Sequence, residues 1–316
     1  MLNYYTGFAV GIGASLLIGR SFFHKQKLKK NGRILDGKKM AATIRQEVKQ
    51  QIEQRKQDQT PTPELDVIIV GDDPASKIYV NIKQRACKSV GITSNCHLLP
   101  EATTKQELVS KIQQLNKRKK TTGILLQQPL PAHLNPDDFS EVILPEKDVD
   151  GFHPYNFGRL GLRYPMLRPC TSRGVMTLIE STKTDIAGKK AVVIGCSNLV
   201  GRPMVLELML ARCTVTTCNS LTSNLKEHIR SADIVIAAIG RPNVIKSHWI
   251  KPGSIVIDIG INKLKDGTIV GDINFDKTQK RASWITPVPG GVGPMTVATL
   301  LQNTVQAAEL RDATIA

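Results

Sequence analysis

The 316-residue sequence lacks any cysteine spacing that defines a zinc site or a disulfide framework. No C-x-x-C pair and no His-rich partner segment occurs, and a chain of this length does not need disulfides to stabilise its core. We therefore predict no bound metal, and free thiols in a reducing compartment. The six cysteines are Cys87, Cys96, Cys170, Cys196, Cys213 and Cys218.

Aromatic residues are also scarce, with two Trp, five Tyr and seven Phe. Proteins that bind single-stranded nucleic acid stack bases on such side chains, so this class of partner is not predicted. The net charge of +16 instead suits a small anionic substrate or cofactor. A hydrophobic fraction of 41% and a charged fraction of 22% are those of a globular protein and exclude a disordered chain.

Long apolar runs are absent except near the start of the chain. Residues 7–19 are apolar and small, and basic residues follow them; extended to residues 4–23, the run just reaches the length that spans a bilayer. No positive charge precedes the run, which argues against a secretory signal, and the positive charge after it places the body on the cytoplasmic side. Residues 1–30 are thus a leader, with a weak anchor, a transit peptide and a disordered extension left open. We predict a cytoplasmic protein that contacts a membrane only if this leader is an anchor.

The body alternates short β-branched runs with segments of helical periodicity. The first series includes predicted strands at 66–70, 95–99 and 123–127 and helices at 41–55, 76–90 and 105–117. A second series begins at Ala191, and a final helix is predicted over 296–310. Such alternation predicts parallel α/β sheets, and two series predict two doubly wound domains.

The second series contains a candidate cofactor site. The strand at 191–194 runs into a turn that begins Gly195-Cys196-Ser197 and ends at Gly201 and a helix start, where backbone N–H groups hold a pyrophosphate. The next strand is followed by Asn219 and Ser220 rather than a carboxylate, which favours NADP over NAD. Because the usual G-x-G-x-x-G is not present, a domain that binds no dinucleotide remains an alternative.

The first series contains a candidate active site. Ser76, Tyr79 and Lys83 share one face of a predicted helix, where a tyrosine can stack on a flat ring and a lysine can move a proton. The alternative is that these side chains simply pack on the helix surface.

Three further segments are unusual for purely structural loops. Gln127 and Gln128 lie at the carboxyl end of a strand, where ligands bind in open α/β sheets. Residues 147–156 contain two carboxylates, His153 and an asparagine where the domains join; the spacing of a calcium loop is missing, so we interpret His153 as structural. Residues 285–296 hold three prolines and three glycines, which lets backbone approach a ligand closely; a tight interdomain linker is the alternative.

Together these segments resemble the bifunctional methylenetetrahydrofolate dehydrogenase/methenyltetrahydrofolate cyclohydrolase family, most closely its bacterial form. The motifs that carry the resemblance are VGDDPASKIYVNIK (70–83), GILLQQPLP (123–131), PEKDVDGFHPYN (145–156), GCSNLVGRP (195–203) and PVPGGVGPMT (287–296). The resemblance implies a folate domain over 31–150, a Rossmann NADP-binding domain over 151–295, and a C-terminal helix, 296–316, that returns to the first. It also implies a folate cleft between the domains and a homodimer.

The resemblance also implies roles for individual residues. Lys83 matches the catalytic lysine, Gln127 its assisting glutamine, Tyr79 the tyrosine that stacks on the pterin, and Asp150 the aspartate that anchors it. The remaining matches are Ser76, Pro289, Gly290 and Gly291 for folate, and Gly195, Cys196, Ser197, Ser220, Ile261 and Gly293 for NADP. The sequence departs from the family at Gln128, Ser172 and Cys196, none of which is a catalytic position.

The implied function is oxidation of 5,10-methylenetetrahydrofolate with NADP, followed by hydrolysis to 10-formyltetrahydrofolate. A cyclohydrolase without hydride transfer and a non-catalytic NADP-binding protein are the alternatives. A dehydrogenase of the shikimate type would share the glycine turn at 195–201 but not the segments around Lys83 and Asp150.

Overall fold

The computed structural model describes residues 31–315. The predicted leader at residues 1–30 lies outside this range, so the hypotheses about it stay open. Within the range, no helix has both the length and the hydropathy needed to cross a membrane.

Strands and helices alternate along the described chain. The elements before residue 185 are β1 (Arg33–Ile34), α1 (Gly37–Gln57), β2 (Glu64–Val70), α2 (Pro74–Val90), β3 (Thr93–Leu99), α3 (Lys105–Lys117), β4 (Gly123–Leu126), α4 (Pro154–Gly161) and α5 (Cys170–Glu180). Those after it are β5 (Lys190–Ile194), α6 (Gly201–Leu210), β6 (Thr214–Cys218), α7 (Leu225–Ser231), β7 (Ile234–Ala237), β8 (Ile255–Asp258), β9 (Asn262–Lys263), β10 (Ile269–Val270), α8 (Phe275–Gln279), β11 (Trp284–Ile285) and α9 (Val292–Ile315).

The first sheet has three parallel strands in the order β3-β2-β4. Six of the seven residues of β2 are buried, as expected for a central parallel strand covered on both faces. Helix α2 begins after a gap of three residues from β2, and the Asp73 carboxylate caps it by accepting a 2.7 Å hydrogen bond from the Ser76 N–H. Its first turns therefore lie near the edge of the sheet at which β4 also ends.

The second sheet has six parallel strands in the order β1-β11-β8-β7-β5-β6. A small antiparallel pair, β9 and β10, lies outside it. The carboxyl ends of β5, β7, β8 and β11, called exits below, therefore lie along one edge of this sheet. These two parallel sheets with their intervening helices confirm the predicted α/β class.

Helix α9 connects the two halves of the structure, because it packs against both α1 and α5. The largest apolar cluster runs from α1 and β2 through α9 and α5 to β5 and α6, so one core spans both sheets. In addition, Arg33 and Ile34 pair with Trp284 and Ile285, so β1 lies in the second sheet although it falls within the predicted first domain. The predicted boundaries at residues 150 and 295 otherwise stay a prediction.

A buried ion pair fastens the segment before α5 to helix α6. The Arg168 guanidinium donates its Nε–H to Glu207 Oε1 at 2.9 Å and its Nη2–H to Glu207 Oε2. The Glu207 side chain is fully buried, so loss of Arg168 would leave a carboxylate without its charged partner.

We expect Arg168→Ala to destabilise the protein by about 3 kcal/mol, because it leaves the buried Glu207 carboxylate uncompensated. The measurement is the urea midpoint followed by circular dichroism. The double variant Arg168→Met/Glu207→Leu should recover most of the loss, and Glu180→Ala, which removes an exposed carboxylate at the end of α5, is the matched control. A wild-type midpoint for Arg168→Ala would show that the pair adds no stability.

Candidate active site

Lys83 and Gln127 meet at the carboxyl edge of the first sheet. The Lys83 Nζ donates to Gln127 Oε1 at 2.9 Å. Gln127 follows β4 directly, its N–H donates to the Ile68 carbonyl at 2.9 Å, and its side-chain Nε2 donates to the Gln128 carbonyl. Because its amide nitrogen is engaged in this way, Gln127 presents its oxygen to the lysine. The glutamine thus orients the Lys83 ammonium group.

Tyr79 and Ser76 precede Lys83 on the same face of α2, as predicted. Tyr79 is 45% exposed and is therefore accessible to a ligand. The Ser76 hydroxyl is buried beside the Asp73 carboxylate, whose pKa is lowered by hydrogen bonds from the Ser76 N–H and also from the Ser76 side chain. It lies in the first turn of α2, about two turns before Lys83.

Asp150 lies within electrostatic reach of Lys83. Burial raises the pKa of the Asp150 carboxyl, while the positive charge of Lys83 acts to lower this pKa. The Cys170 thiol lies beside it and donates to the Val149 carbonyl at 3.3 Å. Burial raises the pKa of Cys170 well above that of a free thiol, so a nucleophilic role for this cysteine is not indicated.

Asp148, which the sequence analysis assigned no role, holds the loop that carries Asp150. Its carboxylate accepts hydrogen bonds from Gly151 N at 3.1 Å, His153 N at 2.7 Å and Asn156 Nδ2 at 3.1 Å. Burial raises the pKa of Asp148 to about 6 despite these donors. His153 caps α4 by accepting a 2.9 Å bond from Tyr155 N, which agrees with its predicted structural role.

Asn303 of helix α9 fixes the other side of this loop, and the sequence analysis missed it as well. Its buried Nδ2 donates to the carbonyls of Val149 and Arg168, each at 2.8 Å. The Arg173 guanidinium in turn donates to Asn303 Oδ1 at 2.6 Å. No sequence signal marks this contact, because Asn303 lies more than 150 residues from the loop that it supports.

The loop after β11 packs on the start of helix α1. The Lys38 N–H donates to the Gly290 carbonyl at 3.1 Å. Gly290 has φ +108, and Gly291 is buried against Thr286 and Pro287, so only glycine fits this path. Pro289 is exposed at the tip. Of the predicted folate contacts, Pro289 and Gly290 are thus accessible on this turn, whereas Gly291 is buried beneath it.

The turn after β5 has the geometry of a pyrophosphate cradle. Gly195 has φ +119, and a Cβ on it would overlap the Ala238 carbonyl oxygen. A Cβ on Gly201 would overlap the Gly195 carbonyl oxygen, so the two ends of the turn touch. No side chain caps α6, which leaves the start of this helix open to an anion. These residues fit the diphosphate of a dinucleotide.

The other predicted cofactor contacts surround this turn. Ser197 and Ser220 are exposed after β5 and β6, and Ile261 is half exposed after β8. Cys196 is partly buried, and its thiol donates to the Cys218 carbonyl at 3.4 Å. Gly293 is exposed in the first turn of α9. The strand order places the ends of β5, β6, β7 and β8 along one edge of the sheet.

A cavity of about 470 Å³ lies between the Asp150 loop and the cofactor turn. Gln128 and Asp150 line one side of it, and Asn198 and Arg202 line another. Neither Tyr79 nor Lys83 lines this cavity. Within residues 31–315, no group of three or more His, Cys, Asp or Glu side chains is placed to hold a metal ion.

Comparison with protein families gives two matches along the chain. Residues 35–150 match the family profile described as the tetrahydrofolate dehydrogenase/cyclohydrolase catalytic domain. Residues 169–312 match the NAD(P)-binding domain of the same family.

Solved structures with related folds cover most of the chain. A bifunctional methylenetetrahydrofolate dehydrogenase/cyclohydrolase from Campylobacter jejuni is 46% identical, covers 88% of this chain and 99% of its own, and has a TM-score of 0.86. The Trypanosoma brucei enzyme, complexed with NADP and an inhibitor, is 34% identical, with coverages of 91% and 100% and a TM-score of 0.86. A 5,10-methylenetetrahydrofolate dehydrogenase from the silkworm Bombyx mori is 42% identical, with coverages of 89% and 99% and a TM-score of 0.84.

The Gly195 turn yields a direct test of the cofactor site. We expect Gly195→Ala to weaken NADP binding more than about 10-fold, because a side chain at positive φ and against Ala238 O must displace the turn. The measurement is the dissociation constant from calorimetric titration with NADP. Gly188→Ala is the control, since this exposed glycine also has a positive φ but a Cβ there meets no atom within 4 Å. Unchanged affinity in a folded Gly195→Ala variant would place the diphosphate elsewhere.

Proposed function

The chain belongs to the tetrahydrofolate dehydrogenase/cyclohydrolase family, and we propose that Lys83, Tyr79, Gln127 and Asp150 carry its two successive reactions. The enzyme oxidises 5,10-methylenetetrahydrofolate to the 5,10-methenyl compound and hydrolyses that cation to 10-formyltetrahydrofolate. The observation that supports these residue roles most strongly is the 2.9 Å hydrogen bond between Lys83 Nζ and Gln127 Oε1, within electrostatic reach of the partly buried Asp150 carboxyl.

Lys83 is the proton-transfer group of the hydrolysis. Water adds to the methenyl carbon and forms a new C–O bond, after which one C–N bond of the ring breaks. A proton must leave the attacking water, and a proton must reach the departing nitrogen. A lysine with movable protons meets both needs, and Gln127 keeps its ammonium group at one place by accepting a hydrogen bond. The net reaction releases one proton.

Tyr79, Asp150 and Ser76 bind the folate. The exposed Tyr79 ring offers an apolar face to the flat pterin or the adjoining aromatic ring. The Asp150 carboxyl accepts hydrogen bonds from the amino and ring N–H groups of a pterin. The Ser76 hydroxyl supplies one further polar contact. Pro289, Gly290 and Gly291 close the site from the second sheet, where their lack of bulk lets the substrate approach the backbone.

The dinucleotide is held at the exits of β5, β6 and β8. Gly195, Cys196 and Ser197 hold its diphosphate, Ser220 lies beside the adenosine ribose, and Ile261 and Gly293 contact the nicotinamide half. When bound, NADP accepts the hydride from the one-carbon bridge of the substrate. The protein positions the two ligands for this step, since no side chain has to transfer a proton.

NADP is preferred over NAD. Asn219 and Ser220 follow β6, where NAD-specific domains have a carboxylate that accepts bonds from the ribose hydroxyls. Without that negative charge, a 2′-phosphate is not repelled. We further propose a homodimer and a cytoplasmic location. The basic surface suits the anionic glutamate tail of folate.

Lys83→Ala should lower the cyclohydrolase activity by a factor of about 100 or more, because the proton-transfer group is gone. The decay of methenyltetrahydrofolate absorbance measures this activity, and NADP reduction with 5,10-methylenetetrahydrofolate measures the dehydrogenase. Lys88→Ala is the matched control, because Lys88 is exposed on the last turn of the same helix. Full cyclohydrolase activity in Lys83→Ala would remove Lys83 from the mechanism. A wild-type protein that hydrolyses the cation but never reduces NADP would support the cyclohydrolase-only alternative.

Ser220→Asp should raise the KM for NADP by about 10-fold or more and leave the KM for NAD less affected, because the new carboxylate repels the 2′-phosphate. Steady-state dehydrogenase assays with both cofactors give these constants. Ser220→Asn, which adds similar bulk without charge, controls for steric effects. An equal rise in both KM values would place Ser220 away from the 2′-phosphate.

A further inference from the structure

Two buried aspartates, Asp258 and Asp272, join the loops that leave the second sheet. Both side chains are almost completely buried. Neither has a basic partner among the ion pairs of the described chain. Both instead accept hydrogen bonds from N–H groups. Burying a carboxyl without a cation is costly, so such an arrangement calls for an explanation beyond packing.

Asp272 connects the exit of β7 with the exit of β8. Its Oδ2 accepts from Ile239 N at 2.7 Å and from Gly240 N at 3.1 Å, the residues that follow β7. Its Oδ1 accepts from Asn262 Nδ2 at 2.9 Å, one residue after Ile261. A single side chain thus fixes the separation of two loops.

Asp258 in turn holds Asp272 in place. Its Oδ1 accepts from Gly260 N and from Asp272 N, both at 3.0 Å, and its Oδ2 accepts from Ile273 N at 2.8 Å. The packing is reciprocal, because a Cβ on Gly260 would overlap the Asp272 carboxylate and a Cβ on Gly271 would overlap that of Asp258. Burial raises the pKa of Asp258 to about 7, against the effect of its N–H donors.

These loops reach the cofactor turn. The residue before Ile239 is Ala238, whose carbonyl oxygen lies directly against Gly195, and Ala238 N donates to the Ile194 carbonyl at 2.8 Å. A shift of the Ile239–Gly240 loop therefore moves the surface on which the Gly195 turn rests. On its other side, Asp272 steadies Asn262 and with it the half-exposed Ile261.

We propose that Asp272, held by Asp258, is a positioning residue for the dinucleotide, and that it serves hydride transfer but not hydrolysis. The inference rests on the proposed placement of NADP between Gly195 and Ile261. The side-chain hydrogen bonds of Asp272 all end on the cofactor side of the second sheet, whereas Lys83 on α2 and Gln127 after β4 lie beside the first sheet. The two activities of one enzyme thus provide an internal comparison.

Asp272→Ala should lower dehydrogenase kcat/KM for NADP by about 100-fold, since displacement of bound groups by about 1 Å has effects of this size. Cyclohydrolase kcat/KM should stay within about twofold of wild type. Asp272→Asn should restore most of the dehydrogenase activity. The amide oxygen that this change introduces can still accept from Ile239 N and Gly240 N. The Nδ2 of the same new amide can donate to Asn262 Oδ1 once the Asn262 amide group rotates by half a turn.

A milder variant decides the matter if Asp272→Ala does not fold. Asn262→Ala removes only the bond to Asp272 Oδ1 and should raise the KM for NADP several-fold with cyclohydrolase unchanged. Asp233→Ala is the matched control, because Asp233 accepts from Lys190 N and Lys251 Nζ at the opposite edge of the same sheet. That variant should keep both activities.

Equal losses of both activities in Asp272→Ala, or a loss in Asp272→Asn as large as that in Asp272→Ala, would overturn the inference. An unchanged KM for NADP in Asn262→Ala would also overturn it. These results differ from failure of the proposed function, in which the wild-type enzyme itself would lack NADP reduction.

Discussion

The packing of helix α9 against both α1 and α5 is the contact on which the site depends. Lys83 lies on helix α2 beside the first sheet, and Gly195 lies in the turn after β5 of the second sheet. The distance between the lysine and the cofactor turn is therefore set by the elements that join the two sheets. Helix α9 does this through a shared apolar core. It also carries Asn303, which bonds the backbone on both sides of the Asp150 loop. The same helix therefore fixes the position of one sheet relative to the other, and also the path of the Asp150 loop.

Buried aspartates solve a recurring problem in this fold. Loops at the exits of parallel strands have no ladder partners, and their buried N–H groups must still find acceptors. Asp148 accepts two hydrogen bonds from the loop that carries Asp150 and one from the Asn156 side chain on α4. Asp272 and Asp258 each accept three at the carboxyl ends of the strands in the second sheet. A carboxylate has two oxygens, and each can accept more than one hydrogen bond, so one side chain can hold several loop segments together. The loops at the carboxyl ends of both sheets therefore keep a fixed path although they are not helical or extended.

Much of this structure could be predicted from the sequence, because its regular elements have strong local patterns. The helix at 105–117 was predicted with the observed bounds. The family resemblance is confirmed by both domain profiles. Helices α4 and α5 were missed, since their sequences are short and interrupted by glycine. Strands β1 and β11 were missed because each has only two residues, too few to show an alternating pattern. The roles of Asn303 and Asp272 depend on contacts between distant segments, which no local pattern reveals.

The two reactions make different demands on the protein, and the two sheets meet them differently. Hydrolysis needs one group that moves a proton, and Lys83 stands on a helix with its partner Gln127 fixed by two further hydrogen bonds. Hydride transfer needs no such group. It needs the two ligands at the right distance from each other, and the loops that bind them, with the residues that hold these loops, set that distance. Loss of one side chain can thus abolish hydrolysis, whereas hydride transfer is vulnerable at many positions that never touch a ligand. A member of this fold that kept its lysine while its second-sheet loops drifted would retain hydrolysis alone.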